Sequence, residues 1–144
     1  GLLERHGPDR TSRVRVKVVP STRKRTLHDE VRKHVEPGAN LYTDALKSYE
    51  GLGPDYIHEV IDHAEEYARG KVHTNGLENF WSLVKRAIKG TYVSVEPFHL
   101  FRYLDEEVFR FNQRGDNDGG RFLKVLRSVV GKRLTFAELT TSPI

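Results

Sequence analysis

Residues 73–90 read HTNGLENFWSLVKRAIKG, and their apolar side chains recur with the period of an α-helix. From Asn75 onward these positions are spaced i, i+3, i+4, i+7 and i+11: Leu77, Phe80, Trp81, Val84 and Ile88. The spacing predicts an amphipathic helix with one buried face and an end at Gly90. Because Trp81 lies on the apolar face, we expect it to pack in the core.

The opposite face of this predicted helix is polar. At about 100° per residue, one stripe holds the following side chains: Glu78, Ser82, Lys85 and Lys89. A carboxylate with lysines further along the helix suits a site that holds a divalent cation and binds a phosphate backbone. Two structural interpretations stay open. Asn75 and Glu78 have the spacing of a capping box, and Glu78 and Lys85 are equally consistent with an ordinary exposed face.

The residues before this helix predict a mixture of strands and helices. LLERHG and the alternating RVRVKVV predict a β-hairpin with Val14, Val16 and Val18 on one face. Thr26 is suited to cap a helix that stops at Pro37. NLYT and YIHEVIDH predict short strands, and ALKSYEGL between them predicts a short helix.

The residues after Gly90 predict two further helices. One opens at Glu96-Pro97 and carries an apolar stripe: Phe101, Leu104, Val108 and Phe111. The other ends at Gly131 and is marked by Phe122, Leu126 and Val129. Strands early in the chain and helices late predict the α/β class, with a mixed sheet covered by helices.

Asp44 is the second candidate for chemistry. It follows the predicted strand NLYT, and strand ends are where α/β sheets usually place ligand sites. An Asp between a strand and a helix also often caps that helix. Asp44 and Glu78 together, 34 positions apart, indicate an acidic site more strongly than either residue does alone.

Length and composition restrict the class of protein. The chain has 144 residues, 37% of them hydrophobic, which fits one globular domain, and its net charge of +4 favours a polyanionic partner such as nucleic acid. The absence of cysteine excludes disulfide frameworks, zinc ribbons and cysteine proteases. No apolar run has the length of a membrane span and no signal peptide is evident, so we expect a soluble cytoplasmic protein. The absence of methionine indicates that the chain begins inside a longer open reading frame.

Several motifs occur in one order along the chain: HTN, ENFWS, LVKR, GTY and RYLDE, with LYTDALKSYEGL upstream and GKRLTFAEL downstream. Together they resemble the catalytic domain of bacterial insertion-sequence transposases of the ISXO type, in the DDE superfamily. The resemblance implies a ribonuclease-H-like fold, a mixed sheet flanked by helices, with its first strand missing and extra C-terminal helices. It places a partial catalytic domain at residues 1–139 and a tail at 140–144.

The activity implied by this resemblance is DNA strand cleavage and strand transfer with two divalent ions, Mg²⁺ or Mn²⁺, held by three acidic residues. Asp44 matches the second acid of the family, Glu78 the third, and Lys85 the basic residue that follows. Some relatives have Asn as the third residue, so Asn75 and Asn79 are alternatives to Glu78. The implied partners are transposon-end and target DNA, and further copies of the chain bound to that DNA.

Basic and histidine side chains near the acidic residues are candidates for DNA contact. We expect Lys85, Arg86 and Lys89 to contact phosphates, with His73 and Asn75 beside them. The run Arg23–Arg25 is equally consistent with DNA contact and with a solvated loop. The spacing of three histidines matches no metal motif, so contact with a metal-binding residue or with the substrate is the better hypothesis for them: His58, His63 and His73.

The first acid of the family lies on a strand that precedes the hairpin at the start of this chain. Neither Glu4 nor Asp9 matches its context. This departure leaves two other functions open. One is a catalytically inactive DNA-binding fragment of a decayed mobile element, and the other is a hydrolytic nuclease of the same fold.

Overall fold

The structure, a computed structural model, describes residues 1–6, 9–61 and 75–140. The chain divides into two compact units. The first unit combines Gly1–Val18 with Phe80–Ile144, and the second comprises Val19–Asn79. Among the described residues, each unit contains one two-stranded sheet.

The hairpin predicted for the first unit is present. Strand β1 (Leu2–Glu4) pairs antiparallel with strand β2 (Arg13–Arg15), and Val14 at the centre of β2 is completely buried. The predicted second strand is too long, because Val16 is half-buried and Val18 is exposed beyond the end of β2. The antiparallel ladder ends at the pair Leu2–Arg15, so Val16 and Val18 lie beyond it.

Helix α2 (Asn75–Ala87) is the amphipathic helix that the sequence predicts. Its residues from Phe80 onward belong to the first unit and those before it to the second. Phe80 and Val84 are buried, as expected. Trp81 is only half-buried, and its ring packs edge-on against Phe80 with centroids 5.2 Å apart.

Gly90 does not end the helical run, contrary to the prediction. After α2 the backbone continues as a π-helix over Ile88–Tyr92, with Gly90 at its centre. Gly90 lies within this π-helical turn and does not have the positive φ of a C-terminal glycine cap. The positive φ that often falls on a terminal glycine falls on Val93, at 61°.

Helix α3 (Leu100–Asn112) begins after a 3₁₀ turn at Pro97–His99, close to the predicted start. Leu104 and Phe111 on its apolar stripe are buried. The ring of Phe111 packs edge-on against Phe80, with centroids 5.3 Å apart. Helices α2 and α3 therefore share the core of the first unit.

Two helices follow α3. Helix α4 (Asp118–Val129) confirms the last predicted helix, and the Asn117 side chain caps it by accepting a hydrogen bond from the backbone N–H of Gly120 at 2.8 Å. No residue of α4 is buried in the described structure. The short helix α5 (Phe136–Thr140) is not predicted, although Thr-x-x-Glu at 135–138 is a capping-box pattern.

The second unit begins with helix α1 (Lys24–His34), which ends before Pro37 as predicted. Thr26 does not cap it, because the helix starts two residues earlier and Arg23 precedes it without a side-chain cap bond. The Thr26 hydroxyl instead lies 3.2 Å from that of Ser21.

Strands β3 (Asn40–Asp44) and β4 (Ile57–Ile61) confirm both strands predicted for this unit. They pair in parallel, with Asp44 opposite Ile61. The segment between them contains only a 3₁₀ turn at Lys47–Tyr49, because glycines and a proline interrupt it soon afterwards. The parallel pairing places the end of β3 at the sheet edge where ligands commonly bind.

The described strands and helices confirm the α/β class, and the described strands form two two-stranded sheets, β1-β2 and β3-β4. None of the helices in the described ranges is long and apolar enough to cross a membrane.

Candidate active site

Asp44 is the last residue of β3 and its side chain is exposed. Its Oδ1 accepts a hydrogen bond of 3.3 Å from the backbone N–H of Leu46. This contact is a turn of the kind that Asp commonly makes, and it fixes the first residues after the strand. An exposed carboxylate at a strand end suits a ligand-binding role.

Thr43 lies immediately before Asp44 and only 7% of its surface is exposed. Its hydroxyl donates a hydrogen bond of 3.0 Å to the backbone carbonyl of Asp44 and lies 2.9 Å from Nε2 of His58 on β4. Because a carbonyl only accepts and a hydroxyl carries one proton, both bonds form together only when Nε2 of His58 carries a proton and donates it. A hydrogen-bonded chain therefore runs from His58 through Thr43 to Asp44.

The ring of His58 is half-buried, and this burial lowers the pKa of His58. The neighbouring His28, which is buried on α1, lowers it further. His58 is therefore mainly neutral near neutral pH, where its ring carries one proton. The strand predicted for YIHEVIDH contains His58, but the sequence does not show that His58 lies beside Thr43, because that contact depends on how β4 pairs with β3.

Glu78 lies in the first turn of α2, is exposed, and belongs to the same unit as Asp44. Asn75 and Glu78 both lie in the first described turn of α2, so the capping-box interpretation stays open. Asn79 is also exposed, beside Glu78 in the same turn.

The basic patch of α2 is accessible. Lys85 and Arg86 lie in the last turn of the helix, and both are exposed, as is Lys89. Lys85 follows Glu78 by two helical turns, so the two share a face of α2 as predicted. Lys89 lies in the π-helical continuation, where the α-helical phase used to place it on that face does not apply.

The three histidines do not act as a group within the described structure. His58 is a strand residue of β4, while His63 and His73 lie outside the residues that the structure describes. The expected DNA contact of His73 therefore stays a prediction. The basic run Arg23–Arg25 lies at the start of α1 and is exposed, which is compatible with both interpretations offered for it.

The carboxylates of Asp44 and Glu78 are the kind of donor that Mg²⁺ and Mn²⁺ prefer. In the ranges 1–6, 9–61 and 75–140, no three acidic, histidine or cysteine side chains are grouped closely enough to hold a metal ion. The donor chemistry of these two residues fits a divalent cation, but the described residues alone do not complete its ligand set.

Comparison with known proteins identifies a family that the chain matches. The family of ISXO2-like transposase domains matches residues 1–112. The chain belongs to this transposase family. It is also 33% identical over 96 residues to an uncharacterized transposase-like protein of Haemophilus influenzae, covering 66% of this chain and 77% of that protein. No solved structure is significantly similar to the chain.

The range that matches the transposase family includes all of the candidate site residues. The matched range holds Asp44, Glu78 and the basic patch of α2, and it ends at Asn112, the last residue of α3. Helices α4 and α5 lie outside it. Transposases of the DDE class generally use divalent metal ions, which agrees with carboxylates as the candidate ligands.

Proposed function

We propose that residues 1–139 form a ribonuclease-H-like catalytic domain of an insertion-sequence transposase, which cleaves DNA strands and joins them to a target. The observation that carries the proposal is the pair Asp44 and Glu78. Both carboxylates are exposed within one compact unit, one at the end of a parallel strand and one in the first turn of a helix. Both lie in the range that matches the transposase family.

In this proposal Asp44 and Glu78 are metal ligands, and Asn75 and Asn79 are the alternatives to Glu78. A bound Mg²⁺ or Mn²⁺ supplies positive charge that stabilises the pentacoordinate phosphate during in-line displacement. The protein's own contribution is to hold two carboxylates at the ends of regular elements. The hydrogen bond from Leu46 to Asp44 restricts one of them before any ion binds.

Lys85 binds a DNA phosphate as a point charge, on the same helix face as Glu78. Arg86 and Lys89 extend this contact along the backbone, with Asn75 and His73 as further DNA contacts. Because DNA phosphates carry condensed counterions, binding by this patch weakens as salt rises. We also propose that several copies of the protein assemble on the DNA ends. Since the proposed substrate is genomic DNA, the protein acts in the cytoplasm.

A second candidate function rests on the exposed basic patch of Lys85, Arg86 and Lys89, which can bind DNA phosphates without a metal site. The chain would then bind DNA without cleaving it, as the product of a decayed mobile element. A hydrolytic nuclease of the same fold is the third candidate. It shares the acidic residues and differs only in using water as the final nucleophile.

The test is an incubation of the natural protein carrying this sequence with labelled transposon-end DNA, target DNA and Mg²⁺ or Mn²⁺. Joined products that contain both DNAs are expected. Cleaved ends without joined products would favour the nuclease, and bound but intact DNA would favour the inactive fragment. The variant K124Q is a suitable control, because Lys124 on α4 pairs with Asp116 at 2.9 Å and lies outside the family match.

A further inference from the structure

We propose that Thr43 and His58 are positioning residues that hold the backbone of Asp44 and so aim its carboxylate. This inference rests on the proposed function, in which Asp44 takes part in the reaction. Neither Thr43 nor His58 needs to touch DNA for this role. They act through the backbone carbonyl at the end of β3.

The hydrogen-bond directions support this role. Thr43 Oγ1 donates to the Asp44 carbonyl at 3.0 Å and lies 2.9 Å from His58 Nε2, to which the proposal assigns the donor role in that second bond. The orientation of that carbonyl depends on the ψ angle of Asp44, because the peptide unit is planar. A bond that fixes the carbonyl therefore also fixes the backbone from which the carboxylate extends.

The strand register explains why these residues meet. In the parallel β3-β4 pair, Leu41 lies opposite His58 and Thr43 lies opposite Val60. His58 and Thr43 are therefore diagonal neighbours on one face of the sheet, since residues two apart on a strand share a face. Thr43 is 7% exposed, so water is poorly placed to replace either bond.

The carboxylate itself has a second restraint. Asp44 Oδ1 accepts from the Leu46 N–H at 3.3 Å, across the peptide unit whose carbonyl Thr43 holds. If that peptide unit rotates, the distance between Oδ1 and the Leu46 nitrogen changes as well. Loss of the Thr43 hydroxyl should therefore weaken the restraint on both the backbone carbonyl and the carboxylate of Asp44.

The kinetic test compares T43V, T43S and T26V in the natural protein. Valine has nearly the shape of threonine without its hydroxyl, serine keeps the hydroxyl, and Thr26 is another threonine of the same unit whose hydroxyl contacts Ser21. We expect T43V to slow strand transfer at saturating DNA by about tenfold or more, because misplacement of a reacting group is costly. DNA affinity should stay within about twofold, as Lys85, Arg86 and Lys89 are unchanged. T43S and T26V should retain most of the wild-type rate.

A spectroscopic test is independent of activity. In ¹⁵N NMR spectra of the histidine rings, His58 should carry its proton on Nε2 in the wild-type protein and lose this single preference in T43V. Proton on Nδ1 in the wild type would overturn the proposal, even if T43V failed to fold. A wild-type rate in folded T43V, or a rate in T43S as low as in T43V, would also overturn it.

The variant D44N separates this proposal from the proposed function. A wild-type rate of strand transfer in D44N would remove Asp44 from the reaction and with it the purpose of the positioning pair. An inactive D44N together with a fully active T43V would leave the proposed function intact and overturn only the positioning role.

Discussion

The side chain of Asn112 forms hydrogen bonds with both the backbone N–H and the backbone carbonyl of Val14 on strand β2. Its Oδ1 accepts from the Val14 N–H at 2.7 Å, and its Nδ2 donates to the Val14 carbonyl at 2.9 Å. An amide side chain thus reproduces the pattern of a neighbouring strand. It joins the end of α3 to the hairpin of the same unit.

Replacing Asn112 with alanine should therefore destabilise the first unit. Val14 is completely buried, so N112A leaves one buried donor and one buried acceptor without their partners. We expect a loss of about 2 to 4 kcal/mol in the free energy of unfolding, measured by urea denaturation. Q113A, at the next position, should change it much less. Equal free energies of unfolding for N112A and Q113A would show that the two hydrogen bonds from Asn112 to Val14 do not stabilise the first unit.

The aromatic contacts of Phe80 predict a clear order of core substitutions. Phe80 is 1% exposed and packs against both Trp81 and Phe111. F80A should cost about 3 to 5 kcal/mol, whereas W81A should cost less because Trp81 is only half-buried. Thermal unfolding of the two variants checks this order. The reverse order would mean that Trp81 is the main core residue, as its sequence position suggests.

The hydrogen bond between Tyr92 and Glu106 predicts a pH dependence of stability. The Tyr92 hydroxyl donates to Glu106 at 2.6 Å, which raises the pKa of Tyr92 to about 12. The same bond lowers the pKa of Glu106, with burial opposing and Arg110 adding to the effect. A carboxyl with a lowered pKa stabilises the fold above its ordinary pKa, and this contribution disappears as pH falls through the folded pKa. A tyrosine with a raised pKa stabilises the fold below about pH 10, and this contribution is lost between about pH 10 and 12.

Y92F should therefore lower stability by about 1 kcal/mol at neutral pH. It should also flatten the loss of stability between about pH 5 and 3, because part of the shift at Glu106 is gone. Urea midpoints measured across this range test both statements. Y103F is the control, since Tyr103 only stacks edge-on with Tyr92, at 4.7 Å between ring centroids. A wild-type pH profile in Y92F would contradict the account.

The exposed Lys85 of α2 predicts the salt dependence of DNA binding. K85Q should weaken binding to DNA of any sequence and reduce the slope of log affinity against log salt by about 1, since one phosphate contact is lost. K124Q should leave the slope unchanged, because that lysine is paired with Asp116. Fluorescence anisotropy over a salt series measures both. An unchanged slope in K85Q would remove Lys85 from the DNA interface.

The elements that the sequence predicted well are those with local signals. The spacing of Phe80 and Val84 predicts α2, and the apolar runs around Leu41 and Ile61 predict β3 and β4. Helix α5 was not predicted, although the T-x-x-E pattern at 135–138 is a local signal that marks its start.

The contacts that the sequence could not predict join residues far apart in the chain. Asn112 and Val14 are 98 positions apart, and nothing local to either marks the pair. Thr43 and His58 meet only because β3 and β4 pair in parallel at one register, and a shift of one residue would move His58 to the other face. The π-helical turn at Gly90 was missed because glycine more often ends a helix than continues it. The acidic residues were chosen because the sequence predicts Asp44 at a strand end and Glu78 at a helix start, and the structure has both residues at those places. Their role as metal ligands stays a prediction.

The rate of strand transfer by D44N and E78Q, relative to wild type and at equal DNA occupancy, tests the central claim most directly. Each substitution removes one negative charge while keeping the shape of the side chain. Both should abolish joined products while DNA affinity stays within about twofold, because the phosphate contacts of α2 are unchanged. N75A and N79A should retain activity. Wild-type joining by D44N would contradict the account, and full activity in E78Q with loss in N75A or N79A would move the third position to that asparagine.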